Sequence, residues 1–227
     1  MERGLDYYKK GDFRTAAVHF NFYYSTHPGS DSALYYLYDC YVKLDEPKRA
    51  VDVLKQLAKM GTKDKDVYLH LFYAHRKNAR YRDLYMLLTN TDRMITDAVN
   101  QHFALTRQLF AELVSGVSTK AHYSDPVAFV TSHGYMSYLP DGKFYGDDTI
   151  TQGNLIILLD TFVRPIYPQN FFKLENITNR SFLYLPYMRL IDVGVLALDP
   201  DLDPNEHAPI SMAVESIGRL KQRGYIE

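Results

Sequence analysis

The first 91 residues are written on a 34-residue period. Tyr7 and Tyr41, Ala16 and Ala50, and Phe20 and Leu54 each stand 34 positions apart, and Lys9, Lys43 and Lys77 extend the interval twice. A fixed period of this size means one supersecondary unit copied along the chain, because a helical hairpin cannot cover its own apolar side without a neighbour. The small residue of each copy, Ala16 or Ala50, lets the second helix approach the first. A third, degenerate copy carries His75, Tyr81, Leu84 and Leu88, with leucine where the alanine stood. This reading puts Tyr7, Phe13, Phe20, Tyr41, Leu54, Leu57, Tyr81 and Leu88 in a shared core.

Gly4, Tyr7, Gly11, Ala16, Phe20 and Pro28 also fall at fixed places within the first copy. On these residues the segment resembles the tetratricopeptide repeat (TPR), which implies three helix pairs over residues 1–91 and a groove that binds a protein partner. Helical register puts Tyr8, Lys9, Tyr35, Asp39, Val42, Lys43, Tyr73, Arg76 and Lys77 on the inner side. The lysine row suits an acidic or C-terminal peptide, and equally a solvated helix face, where lysine is the default residue. The carboxylate-clamp members of the family use lysine and asparagine where this chain has Leu5, Tyr35, Asp39, Leu69 and Tyr73, so that specialised function is not implied.

Residues 92–116 carry apolar positions at Met94, Ile95, Val99, Phe103, Leu105, Leu109, Phe110 and Leu113, near a 3.6-residue period. The spacing predicts one long connecting helix, capped by Asp92 and stopped at Gly116. The boundary to a second module is expected within Gly116–Ser124.

A second period, of 60 residues, runs through 117–227. Pro126 and Pro186, Gly134 and Gly194, Pro140 and Pro200, Asp141 and Asp201, Ile150 and Ile210, and Thr151 and Ser211 all keep that interval without a gap. Each pair sits where a helix ends, a turn forms or a helix begins: Gly134 suits a positive φ, Pro140-Asp141-Gly142 is turn chemistry, and Thr151 suits an N-cap. Gly134, Met136, Pro140, Asp141, Gly142, Phe144, Ile150 and Thr151, with Tyr123, Ser124, Asp125 and Pro126 upstream, resemble the S-layer homology (SLH) repeat. The resemblance implies a helical SLH-like domain, of which two 60-residue units are visible where the family commonly assembles three. It also implies a docking or anchoring role in the bacterial cell envelope, periplasmic or at the surface, with cell-wall polysaccharide as the family's ligand. The family's Thr-Arg-Ala-Glu motif is replaced here by Thr151, Gln152, Gly153 and Asn154, which favours docking on protein over docking on glycan.

Charge and motifs narrow the function classes. The 227 residues carry a net charge of -1, with no basic footprint for nucleic acid. The most apolar run, Leu155–Leu159, is far short of the ~20 residues a bilayer span needs. No secretory leader is expected from MERGLDYYKKGDF, and a lone Cys40 excludes an intramolecular disulfide or a multi-cysteine zinc site. The alternation Asp199, Asp201, Asp203, Asn205 invites a calcium reading, but Pro204 and Ile210 stand where an EF-hand needs glycine and a bidentate glutamate. A hydrolase would have to draw its acids from Asp141, Asp147, Asp148 or Asp201. No phosphate loop, nucleophile elbow or dinucleotide motif occurs, and no metal, cofactor or catalytic residue is expected. The expected protein is all-α, a TPR-like superhelix followed by a helical SLH-like domain, acting as a non-enzymatic scaffold. A true cell-wall glycan anchor and a hydrolase are the alternatives.

Overall fold

The computed structural model describes residues 1–119, 125–163 and 166–226. The described residues form twelve α-helices and, apart from two isolated bridges, no strand, so the architecture is all-α as expected. Two compact units divide the chain, Met1–Ala74 and His75–Glu227. The expected divisions after residues 91 and 116 do not coincide with this boundary.

In the first unit α1 (Glu2–Lys9) and α2 (Phe13–Thr26) form one hairpin, and α3 (Asp31–Lys43) and α4 (Pro47–Lys59) the next. Helix α5 (Lys65–Lys77) carries the chain past Ala74, and α6 (Tyr81–Thr89) lies in the second unit. The period is visible in the backbone. Gly11, Asp45 and Ala79 all have positive φ, at 78°, 54° and 52°, each directly before the next helix. The residue after each donates its N–H back across the helix end: Asp12 to Tyr7 O at 3.0 Å, Glu46 to Tyr41 O at 2.9 Å and Arg80 to His75 O at 2.9 Å. One left-handed helix-terminating turn thus recurs every 34 residues. Only its first copy holds the unstrained residue, glycine.

Phe20, Leu54, Leu57 and Leu88 are buried as expected, whereas Phe13, Tyr41 and Tyr81 are half-buried. Tyr7 is the exception, 36% exposed and stacked on His19 at 5.3 Å rather than in the core. Gly4 sits where a Cβ would come within 2.7 Å of the Phe20 ring, so the ring that fills this position needs a residue with no side chain.

The second unit departs from expectation at residues 92–116. Instead of one helix there are two, α7 (Arg93–His102) and α8 (Arg107–Val117). Asp92 does cap α7, its carboxylate accepting the Ile95 N–H at 3.1 Å. The chain then opens at Phe103, with φ -129° and ψ 138°, and Thr106 restarts the helix by accepting the Leu109 N–H at 3.2 Å. The break is worth making because Leu105 O accepts the Ile150 N–H at 2.8 Å, a bond that a helical Leu105 could not offer. Gly116 stops nothing. It lies inside α8, where a Cβ would overlap the Tyr81 carbonyl of α6, so it serves close helix crossing.

Three helix pairs follow one another: α7 with α8, α9 (Pro126–Ser132) with α10 (Gln152–Val163), and α11 (Tyr184–Asp192) with α12 (Ile210–Gln222). Helix α8 packs on α9, α10 on α11, and α12 on α7, so the three pairs close into a ring, with α6 laid against α8 and α12. The 60-residue period holds at the ends of α9 and α11. Gly134 and Gly194 take φ of 70° and 66°, while Tyr135 N–H meets Val130 O at 2.9 Å and Val195 N–H meets Leu190 O at 2.8 Å. It fails at one cap. Thr151 caps α10 through the Asn154 N–H at 3.2 Å, but Ser211 lies within the first turn of α12 and instead accepts from Asn100 Nδ2 at 3.1 Å. Tyr123 and Ser124 lie outside the described residues.

Replacing Gly116 by alanine should cost about 1–3 kcal/mol, the usual penalty of overpacking, because the obstructing atom is backbone. Gly29, with nothing near its missing Cβ, is the control and should change stability by less than about 0.5 kcal/mol. Urea denaturation of the two variants measures the difference; equal midpoints would contradict the tight α6–α8 crossing.

Candidate functional site

On the side of the first unit expected to form the groove, α1 meets α3. Tyr8 of α1 donates its hydroxyl hydrogen to the Asp39 carboxylate of α3, and Lys43, one turn further, places its ammonium 3.5 Å from the same carboxylate. The Lys43 ammonium also stands 5.4 Å from the centre of the Phe13 ring. Tyr8 meets Phe13 at 5.5 Å and Tyr36 at 5.4 Å, both edge-on, and Tyr36 stacks on Phe20 at 5.1 Å. The hydroxyl that Asp39 holds, together with burial and the carboxylate's charge, pushes Tyr8 up to about 12. Tyr35 is held separately, its hydroxyl 3.1 Å from Thr62 Oγ1.

The expected groove residues therefore fall into groups. Tyr8, Asp39 and Lys43 form one cluster, with the exposed Lys43 ammonium set between the Asp39 carboxylate and the Phe13 ring. Lys9 is exposed on α1. Tyr73 and Val42 are 60% and 51% exposed and line a cavity of about 230 Å³ between α3, α4 and α5. Arg76 and Lys77 belong to the second unit. There Arg76 grips the buried Glu112 of α8 with two bonds, Nε to Oε2 at 2.6 Å and Nη2 to Oε1 at 3.3 Å, which makes it a structural ion pair. Cys40 is buried, and burial raises its thiol to about 11, far from a reactive thiolate.

In the second unit the expected loop is ordered by its own side chains. Asp141 accepts the Lys143 N–H at 3.0 Å and the Tyr145 hydroxyl, and Gly142 takes φ 79° in the turn. Phe144 is clamped by Arg107, whose guanidinium stands 4.8 Å from the ring and donates to Phe144 O and Ser137 O, both at 2.8 Å. Thr151 and Asn154 cap α10 reciprocally, and Gln152 N–H reaches Glu206 O at 2.8 Å. A Cβ on Gly153 would come within 2.9 Å of Pro204 O, so glycine permits the two loops to meet there. Gly134 ends α9 as described.

Arg107 is the residue that sequence reasoning missed. Its signal was Leu105-Thr106, which precedes α8 and its first residue Arg107 as Ile150-Thr151 precedes α10. The interval is 45 residues because the first pair has no long loop, so a search at 60 passes over it.

The acids a hydrolase would use are exposed, and the shift resolved among them is the wrong way for a general acid. Hydrogen bonds from Tyr145 and the Lys143 N–H hold Asp141 below the usual carboxylate value. In the 199–206 loop the Asp199 carboxylate accepts the Asp201 N–H at 3.1 Å and the Asp203 carboxylate the Asn205 N–H at 2.9 Å. These acids shape turns.

A tetratricopeptide repeat family model matches residues 7–71, which contain the Tyr8–Asp39–Lys43 cluster, the end of α1 and all of α2, α3 and α4. Over that stretch the helix pairs are similar to tetratricopeptide repeats. No curated protein matches the chain, and no solved structure does.

Tyr8 offers a pH test. Its folded value lies above the ordinary 10.0, so its contribution to stability is complete below pH 10 and is lost as pH rises through about 12. Tyrosinate absorbance should show this as a difference between the chain and Tyr8→Phe that grows near pH 12. A difference that develops near pH 10 would contradict the bond to Asp39.

Proposed function

We propose that this chain is a non-enzymatic scaffold in which the tetratricopeptide groove holds a protein partner and the ring of helix pairs docks it at the bacterial cell envelope. Tetratricopeptide repeats generally mediate protein–protein interaction, and no helix among the described residues is long and apolar enough to cross a membrane. The observation that carries the groove reading is the apolar exposure of Val42 and Tyr73 beside an open cavity. A merely solvated helix face has no need to leave a valine and a tyrosine uncovered there.

The envelope reading rests on the resemblance of the second half to SLH repeats. On this reading the first helix pair, α7 with α8, stands in for the unit that the 60-residue period lacked. It also supplies a Thr-Arg pair, Thr106 and Arg107. That arginine is engaged on Phe144 O and Ser137 O, and burial lowers its pKa. Because it holds protein and not an anionic glycan, docking on a protein surface is favoured over binding polysaccharide.

Two outcomes test this function. Val42→Glu and Tyr73→Glu should reduce capture of the partner from an envelope extract by at least about tenfold, the effect of losing about 1.4 kcal/mol, with unchanged thermal unfolding; full capture by both variants would remove the groove. The wild-type chain should remain in the supernatant when purified wall sacculi are sedimented. Co-sedimentation would instead favour the glycan anchor.

A further inference from the structure

The structure assigns a chemistry to what enters that groove: we infer that the cavity between α3, α4 and α5 is a socket for one arginine side chain of the bound segment. The inference rests on the groove reading and sharpens it. Lys43, the lysine of the row on α3, already stands 3.5 Å from Asp39 and 5.4 Å from the Phe13 ring centre.

At about 230 Å³ the cavity lies below the range of small-molecule sites, roughly 300–1,000 Å³, and is of a size to take a single long side chain. Tyr38, Tyr41, Tyr73 and His70 line it, with Ala50 and Leu54 among its apolar residues and Asp45 and Glu46 as its acids. An aliphatic stem ending in a planar cation matches that order of surfaces: methylenes on the apolar lining, the guanidinium against a ring face, its fork toward a carboxylate. The chain shows the same chemistry next door. Arg49 holds its guanidinium 5.6 Å from the centre of the Tyr41 ring while pairing with Glu46 at 2.8 Å. Glu46 is thereby engaged, whereas Asp45 stands exposed on the turn at φ 54°, leaving its carboxylate for an incoming cation. An aspartate in that turn accepts a conformation that a bulkier acid would resist.

The probe is a capped tripeptide, acetyl-Ala-Arg-Ala-amide, titrated into the full-length ¹⁵N-labelled chain. Its citrulline analogue keeps the shape and removes the charge, and leucine and glutamate versions complete the set. The arginine peptide should shift the amides of Val42, Asp45 and Tyr73 and bind at least about fivefold tighter than the citrulline peptide, as a shielded cation–π contact with an acid nearby predicts. Asp45→Asn preserves the tolerance for positive φ and should erase that preference while leaving thermal unfolding unchanged. Equal binding of the citrulline or leucine peptide, tighter binding of the glutamate peptide, shifts confined to other surfaces, or no shifts at millimolar peptide would each overturn the socket. Partner capture separates the two claims. If Val42→Glu and Tyr73→Glu abolish capture and Asp45→Asn leaves it whole, the groove stands and the arginine socket falls; if none of the three affects capture, the groove itself falls.

Discussion

The first N–H groups of an α-helix have no partner within it, and the second half of this protein is arranged around satisfying them. At the start of α8, Arg107 and Gln108 give theirs to Asp148 O and Gly146 O at 2.9 and 2.8 Å. At the start of α10, Gln152 and Gly153 give theirs to Glu206 O and Pro204 O at 2.8 and 2.9 Å. The bridges Thr106 to Thr149 and Thr151 to His207 mark the same join twice. Each helix pair is therefore finished by the loop of the pair that follows. The third pair has no later loop, and α12 instead meets Asn100 of α7, whose side chain donates to Ser211 Oγ at 3.1 Å and accepts the Ser211 N–H at 3.2 Å. That exchange closes the ring.

The first half solves the same problem by addition rather than closure. Its hairpins cover one another in sequence, α1 on α2, α2 on α3, α3 on α4, with Ala16, Phe20, Leu34, Leu57 and Cys40 fully buried between them. A stack of this kind leaves a face of first helices open to solvent. Here that face is tyrosine-rich and internally bonded at Tyr8 and Asp39, and its uncovered apolar residues are few and grouped. A surface with fixed aromatic walls loses little conformational entropy when a segment settles on it, which is the physical advantage of a repeat protein as a binding scaffold.

Much of this was legible in the residues. The 34-residue period located the hairpins because their turns obey it at Gly11, Asp45 and Ala79, and the 60-residue period located Gly134 and Gly194 because both end a helix in the same way. What escaped was decided by tertiary partners. Phe103 and Leu105 continue the apolar stripe of a long helix, so nothing local announces the break between α7 and α8; the Ile150 N–H that draws out Leu105 O is 45 residues away. Arg76 continues the groove register in sequence, yet its guanidinium is taken by Glu112. Gly116 reads as a helix stop and is a helix crossing, because the Tyr81 carbonyl that excludes a side chain is invisible to local pattern.

The central claim is that the helix starts and loops of the second half hold one another as a single closed body. Native-state hydrogen exchange of the Gln108, Ile150, Gln152 and Gly153 amides and of Ala208, whose N–H meets Ile150 O at 2.9 Å, in the full chain and in Asn100→Ala, tests it directly. Closure predicts that all five exchange only with global unfolding of this half, and that Asn100→Ala lowers their protection together. Loop-like exchange of these amides, or an Asn100→Ala effect confined to Ser211 and its neighbours, would contradict it.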